Sequence, residues 1–189
     1  MQLADAATVA SYDDHAALAR FAAACDVITY EFENIPAEAI AVLEGGTAPV
    51  RPGRRALETS QDRLVEKDFL AGLGLQTAPY RTVDSADDLA AALDAIGAPA
   101  ILKTRRMGYD GKGQARLQSP ADADAALAAM QDAPAILEGF VEFSHEVSVI
   151  AARGVTGEVS CFDPGENLHA EGILRTTSVP ARLTSSQRT

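Results

Sequence analysis

The chain has 189 residues, of which 47% are hydrophobic, and a formal net charge of −11. Such an acidic balance repels nucleic acid and anionic membrane, and the sequence holds no apolar run of the roughly 18 residues that a membrane span needs. The start, Met1-Gln-Leu-Ala-Asp-Ala6, does not read as a secretory signal, and the two isolated cysteines, Cys25 and Cys161, suit a reducing cytoplasm better than a disulfide scaffold.

The length allows one sizeable domain or one and a half small ones. His15 to Ala24 has helical spacing, with Asp13 or Asp14 as cap. Asp26-Val-Ile-Thr-Tyr30 follows as a short strand, and Pro36 to Leu43 as a helix with proline in its first turn. A doubly wound sheet normally opens on a strand and a glycine-rich turn. Neither precedes Asp13, so the expectation is that the true N-terminus is missing. Pro49-Val-Arg-Pro-Gly53 is a loop, Ser60 to Ala71 a helix, Tyr80 to Val83 a strand, and Ala86 to Ile96 a helix capped by Ser85. Strands are expected at Ala100–Thr104 and Gln114–Gln118, then a helix from Ser119-Pro120 to Met130. From Ala135 onward the reading is mostly β. Ala135-Ile-Leu-Glu138 begins a strand, His145 to Ala152 alternates in period two, Glu158 to Phe162 follows a turn, and Gly172 to Val179 closes the series.

Ten of the 16 cations fall in two windows: Arg51, Arg54, Arg55, Arg63 and Lys67, then Lys103, Arg105, Arg106, Lys112 and Arg116. That clustering reads either as a focused pocket for a small anion or as two solvated basic faces. The strongest local signal is Lys103-Thr-Arg-Arg-Met-Gly-Tyr-Asp-Gly-Lys-Gly-Gln114. Its glycines Gly108, Gly111 and Gly113 lie between two expected strands. They allow the backbone amides to form an anion-binding nest, with Lys103 and Lys112 within reach of phosphate oxygens; a plain hairpin loop with surface cations is the alternative. Arg106 stands where a P-loop requires glycine, and the dinucleotide fingerprint is absent too.

A second signal is Ala135-Ile-Leu-Glu138-Gly-Phe-Val141 followed by Glu146. An apolar strand ending in a carboxylate can form an adenine slot, with backbone near Phe140 and Val141 reading the base edge. Glu138 or Glu146 would then accept from a ribose hydroxyl. Taken alone, the same run reads more readily as an edge strand with solvated glutamates. The histidines His15, His145 and His169 share no metal-ligand spacing, so no zinc site is expected. No Gly-x-Ser-x-Gly elbow supports a hydrolase.

In combination the chain resembles the 5-(carboxyamino)imidazole ribonucleotide synthase family of ATP-grasp enzymes. The resemblance runs through Val27-Ile-Thr-Tyr-Glu-Phe-Glu-Asn-Ile-Pro36, Gln61-Asp-Arg-Leu-Val-Glu-Lys67, Thr77-Ala-Pro79, Ile101-Leu-Lys103 and Gly108-Tyr-Asp-Gly-Lys-Gly-Gln114. It continues in Glu138, Phe143-Ser-His-Glu-Val-Ser148, Ala152-Arg-Gly154, Asn167-Leu-His169 and Gly172-Ile-Leu-Arg-Thr-Thr177. It implies an α/β (α+β) chain: a partial ATP-grasp fold over residues 61–189, preceded over residues 1–60 by the end of a Rossmann-like pre-ATP-grasp domain. It implies ATP-dependent carboxylation of 5-aminoimidazole ribonucleotide by bicarbonate through carboxyphosphate, in purine (IMP) biosynthesis, with Mg2+ as cofactor.

By position, the resemblance places Arg63 and Lys103 on the ATP phosphates. Gly108, Tyr109, Asp110, Gly111, Lys112, Gly113 and Gln114 become a phosphate-covering loop. Glu138, Gly139, Phe140 and Val141 would hold adenine, Glu146 the ribose, and His169 would lie near the nucleotide. Glu31, Tyr109, Asp110 and Arg175 are candidates for the ribonucleotide site. Family members are about twice this length and commonly homodimeric. The magnesium-binding half is therefore expected to be missing, and the 189-residue polypeptide alone is expected not to turn over. The alternatives are another ATP-grasp ligase or carboxylase, such as a biotin-dependent carboxylase subunit or a glycinamide ribonucleotide ligase, and a non-catalytic nucleotide-binding module.

Overall fold

The N-terminal segment is organised by helices whose apolar sides meet one another. In the computed structural model, which describes residues 4–108, 112–170 and 173–187, Asp14 is the acid that caps α1 (His15–Ala23). Its carboxylate accepts from the Ala17 amide at 2.9 Å. Helices α2 (Ala37–Glu44) and α3 (Arg54–Ser60) join it around Ile28, Ile35, Ile40, Leu43, Val50 and Leu57. The strand expected at Asp26–Tyr30 is reduced to one parallel bridge, Ile28 to Val50. Ile28 donates to Pro49 O and accepts from the Arg51 amide, but Pro49 has no N–H with which to extend the ladder back towards Asp26.

The helix expected from Ser60 begins three residues later. Ser60 ends α3, a helix in a stretch to which the sequence assigned no element, and α4 (Arg63–Gly72) starts afresh. Asp62 breaks the run. Its backbone is extended, and its carboxylate accepts from the Leu64 amide at 3.0 Å.

Beyond α4 the chain builds an antiparallel sheet of β1 (Tyr80–Val83), β2 (Ala100–Thr104), β3 (Gln114–Leu117) and β4 (Ala135–Gly139), in the order β1-β4-β2-β3. Helix α5 (Ala86–Ile96), capped by Ser85, and helix α6 (Ala123–Ala129), entered through a 3-10 turn at Pro120–Asp122, cover one face. The period-two alternation of a strand decides what they cover. Ala100, Leu102, Leu117, Ala135 and Leu137 all point inward at 0% exposure, against Leu89, Leu93, Ala126 and Met130. The alternate positions, among them Lys103 and Glu138, belong to the opposite face. Strand β4 is therefore not an edge: it lies between β1 and β2, and Glu138 is buried.

The run His145–Ala152 splits in two where a single strand was expected. Strand β5 (Glu146–Ser148) pairs with β8 (Gly165–Ala170), which pairs with β9 (Ile173–Ser178). Strand β6 (Ala151–Arg153) instead forms a separate hairpin with β7 (Val159–Cys161). The alternation of residue types continues across the break, but the partner strand changes. Among the described residues no helix is long and apolar enough to cross a membrane.

Candidate functional site

Two short segments, distant in sequence, are strapped together at the start of α4. Asp62 takes a two-pronged hydrogen bond from the Arg105 guanidinium: Nε to Oδ1 at 3.0 Å and Nη2 to Oδ2 at 2.7 Å. The Arg63 amide donates to Arg105 O at 3.0 Å, and Arg63 Nη2 donates to Gly108 O at 3.3 Å. Gln61 extends the strap to the N-terminal unit. Its amide nitrogen donates to Glu33 O and Ile35 O, both at 2.6 Å, while its Oε1 accepts from Arg106 Nη2 at 2.8 Å. Burial pushes the Asp62 carboxyl up. The Arg105 hydrogen bonds, the Leu64 amide and the Arg105 charge outweigh that, so its pKa lies below the usual aspartate value.

The strap holds the first root of the glycine-bearing loop, and the sheet holds the second. Lys103 stands opposite Gln114 in the β2–β3 ladder, and the Thr104 amide donates to Gly113 O at 2.8 Å. Gly113 has φ +65°, and a Cβ there would lie 2.5 Å from Thr104 Oγ1, so the position admits glycine on both backbone and steric grounds.

Behind the loop, Glu138 and Lys103 are diagonal neighbours on one face of the sheet, since Glu138 is paired with Ile101 and Lys103 with Ile136. Lys103 Nζ lies 2.8 Å from Glu138 Oε2, and Lys67 Nζ of α4 lies 3.6 Å from Oε1.

Facing this arrangement is the three-stranded sheet. Glu146 Oε1 accepts from Asn167 Nδ2 at 3.2 Å and lies 3.3 Å from His169 Nδ1. Asn167 also donates to Ser148 Oγ and accepts from Thr177 Oγ1. Between the two walls runs an open cleft of about 750 Å³. Arg63, Lys103, Gly108, Lys112 and Gln114 line one side, and Phe143, His145, Glu146, Glu166, Asn167 and His169 line the other. Three cations face a carboxylate–imidazole pair across a space large enough for a small molecule. Such a cleft is suited to a polyanionic group on the first wall and a hydroxyl-bearing group on the second.

The structure thus brings together Arg63, Lys103, Gly108, Lys112, Gln114, Glu146 and His169 of the residues singled out from sequence. Tyr109, Asp110 and Gly111 lie outside the described residues. Gly139, Phe140 and Val141 leave the sheet just after Glu138. The Gly139 amide donates to Pro79 O and the Phe140 amide to Pro99 O, so neither amide is spare for reading a base edge. The Phe140 ring instead carries the Arg116 guanidinium at 4.2 Å. Of the two candidate ribose acceptors, Glu146 is on the cleft, while both Glu138 oxygens face lysines. Glu31 is exposed on the N-terminal unit and is not part of the cleft lining. Arg175 is exposed as well; it sits where the β8–β9 register shifts, between partners Leu174 and Thr176. Gln61, Asp62, Arg105, Lys67 and Asn167 were not assigned roles from the sequence. An aspartate opening a helix between glutamine and arginine is the one legible trace of the strap. Among the described residues no group of three or more His, Cys, Asp or Glu side chains is placed to hold a metal ion.

Known proteins match this chain along almost its whole length. The family model for the ATP-grasp domain matches residues 68–189, and that for the ribonucleotide synthetase preATP-grasp domain matches residues 1–61. The N5-carboxyaminoimidazole ribonucleotide synthase of Brucella melitensis is 57% identical over 96% of this chain and 51% of its own length. A crystal structure of an N5-carboxyaminoimidazole ribonucleotide synthetase in complex with ADP superposes with a TM-score of 0.88 at 44% identity, over 94% of this chain and 47% of the other. The Aspergillus clavatus synthase, solved with ADP and 5-aminoimidazole ribonucleotide, gives 0.86 at 25% identity over 97% and 48%. The chain spans about half the length of the relatives it matches.

Proposed function

This chain belongs to the ATP-grasp family, and from that premise we propose that its cleft binds ATP for the carboxylation of 5-aminoimidazole ribonucleotide. In this reading bicarbonate attacks the γ-phosphorus, ADP leaves, and carboxyphosphate forms. The exocyclic amine of the ribonucleotide then takes the carboxyl group and phosphate departs, giving 5-(carboxyamino)imidazole ribonucleotide. Phosphoryl transfer asks mainly for positioning and charge neutralisation. Arg63, Lys103 and Lys112 meet the phosphates, the loop from Gly108 to Gln114 covers them, and Glu146 accepts from the ribose with His169 beside it. Gly139 to Val141 border the adenine, and Glu31, Tyr109, Asp110 and Arg175 remain candidates for the ribonucleotide. The proposal also takes in a division of the chain near Gln61, magnesium held by groups other than those described, a cytoplasmic setting and a homodimeric enzyme.

The observation that carries this reading is the pairing of a three-cation wall with the Glu146–His169 wall across one cleft. The likeness to a synthase solved with ADP and 5-aminoimidazole ribonucleotide supports the choice of substrate. A chimera tests it: this chain replaces the matching half of the Brucella melitensis synthase, and ATP consumption is followed. Consumption should require bicarbonate and 5-aminoimidazole ribonucleotide together, and neither glycine nor biotin should substitute. Turnover that responds to biotin or glycine, or that ignores the ribonucleotide, rejects the assignment.

A further inference from the structure

Glu138 has two ammonium partners, and only one of them is a cleft residue. Lys103 lines the cleft, whereas Lys67 approaches the carboxylate from α4. The Lys67 side chain is 12% exposed and the Glu138 side chain 11%, so both are largely withdrawn from water. Lys67 is further held over the Tyr80 ring at 5.4 Å, and the Tyr80 hydroxyl is itself anchored by donating to Asp68 at 2.6 Å.

This arrangement bears on what happens when an anion enters. A phosphate oxygen that takes up Lys103 competes with Glu138 for its ammonium. A covered carboxylate stripped of its sole partner is costly, because nothing replaces the water it gave up. With Lys67 in place the carboxylate keeps a counter-ion throughout.

We propose that Lys67 is a positioning residue: the standing counter-ion of Glu138, which releases Lys103 to bind nucleotide phosphates. The inference rests on the reading that the cleft takes ATP. A lysine that merely ties α4 to the sheet would affect folding stability without distinguishing one ligand from another.

Calorimetric titration of the 189-residue chain with ATP and with adenosine tests it, using Lys67→Met, Lys67→Arg, Glu138→Gln and the Lys67→Met/Glu138→Gln double variant. Lys67→Met should weaken ATP binding about tenfold and adenosine binding by less than about twofold, because adenosine makes no demand on Lys103. Lys67→Arg should stay close to the unaltered chain. In the Glu138→Gln background, Lys67→Met should change ATP affinity by less than about twofold, since no carboxylate is left to neutralise. Unchanged ATP affinity in Lys67→Met, or a tenfold loss that persists in the Glu138→Gln background, overturns the inference. If Lys67→Met alone fails to fold, the uncharged Lys67→Gln takes its place in both backgrounds. Failure of the unaltered chain to bind ATP would remove the nucleotide reading and this inference together. ATP binding that is indifferent to Lys67 removes the inference alone.

Discussion

The two walls of the cleft are built in opposite ways. The cationic wall stands on a sheet whose inner positions are fully buried against α5 and α6, and the Gln61–Asp62–Arg63 strap ties α4 to the first loop root. The facing wall belongs to a small sheet with exposed apolar side chains, such as Leu168 and Val147. Its polar groups are oriented mainly by one another, through Glu146, Asn167, Ser148 and Thr177. The contrast indicates that charge placement on the first wall is set by folding itself. The second wall holds its acceptors by surface hydrogen bonds and can adjust to what it meets.

The largest effect that would sharpen this comparison is on stability. Leu137→Ala empties a position of 0% exposure in the sheet and should cost about 2–5 kcal/mol in denaturant unfolding. Leu168→Ala, at 65% exposure on the other wall, should stay within about 0.5 kcal/mol. Similar losses at the two positions would break the contrast. Next comes binding: Lys103→Ala should weaken ATP by about 1.5–3 kcal/mol in a titration, the range for a lost charge-assisted hydrogen bond.

A smaller effect probes the strap. Asp62→Asn keeps an oxygen that can cap α4 but gives up the charge held by Arg105, and should destabilise the chain by about 1–2 kcal/mol at neutral pH. The folded-state pKa of Asp62 is depressed. Its contribution is therefore present above the unfolded aspartate value and is lost as pH falls through the folded one. Melting curves should show the gap between the two proteins closing below about pH 4. A gap that widens in acid would contradict the pairing. Smallest is Glu146→Gln, which should lower ATP affinity by about 0.5–1.5 kcal/mol and leave Tm unchanged, as befits an acceptor on the adaptable wall.

What could be read from the residues follows from how local the deciding physics is. Helix α5, with Ser85 before it and Gly97 after it, and strands β1 and β2 came out at their expected bounds, because caps and short apolar runs act within a few residues. The loop with its glycines was legible for the same reason. The strand at Asp26–Tyr30 was not, since its extension at Asp26 depends on Pro49, more than 20 residues away in sequence. The inner position of β4 was missed because strand order is a property of the whole sheet. With it went the burial of Glu138 and its two lysines. The strap was illegible in the same sense: Asp62 and Arg105 are 43 residues apart, and nothing local pairs them.

The most direct test of the account is a crystal structure of the chain with ADP. The phosphates should lie within hydrogen-bonding distance of Lys103 Nζ and Arg63, with the ribose against Glu146. A second cavity of about 690 Å³ lies by the loop root, where Arg105 and Arg106 meet Met130 and Pro134. Nucleotide found there, with Lys103 still paired only to Glu138, would contradict the assignment of the cleft.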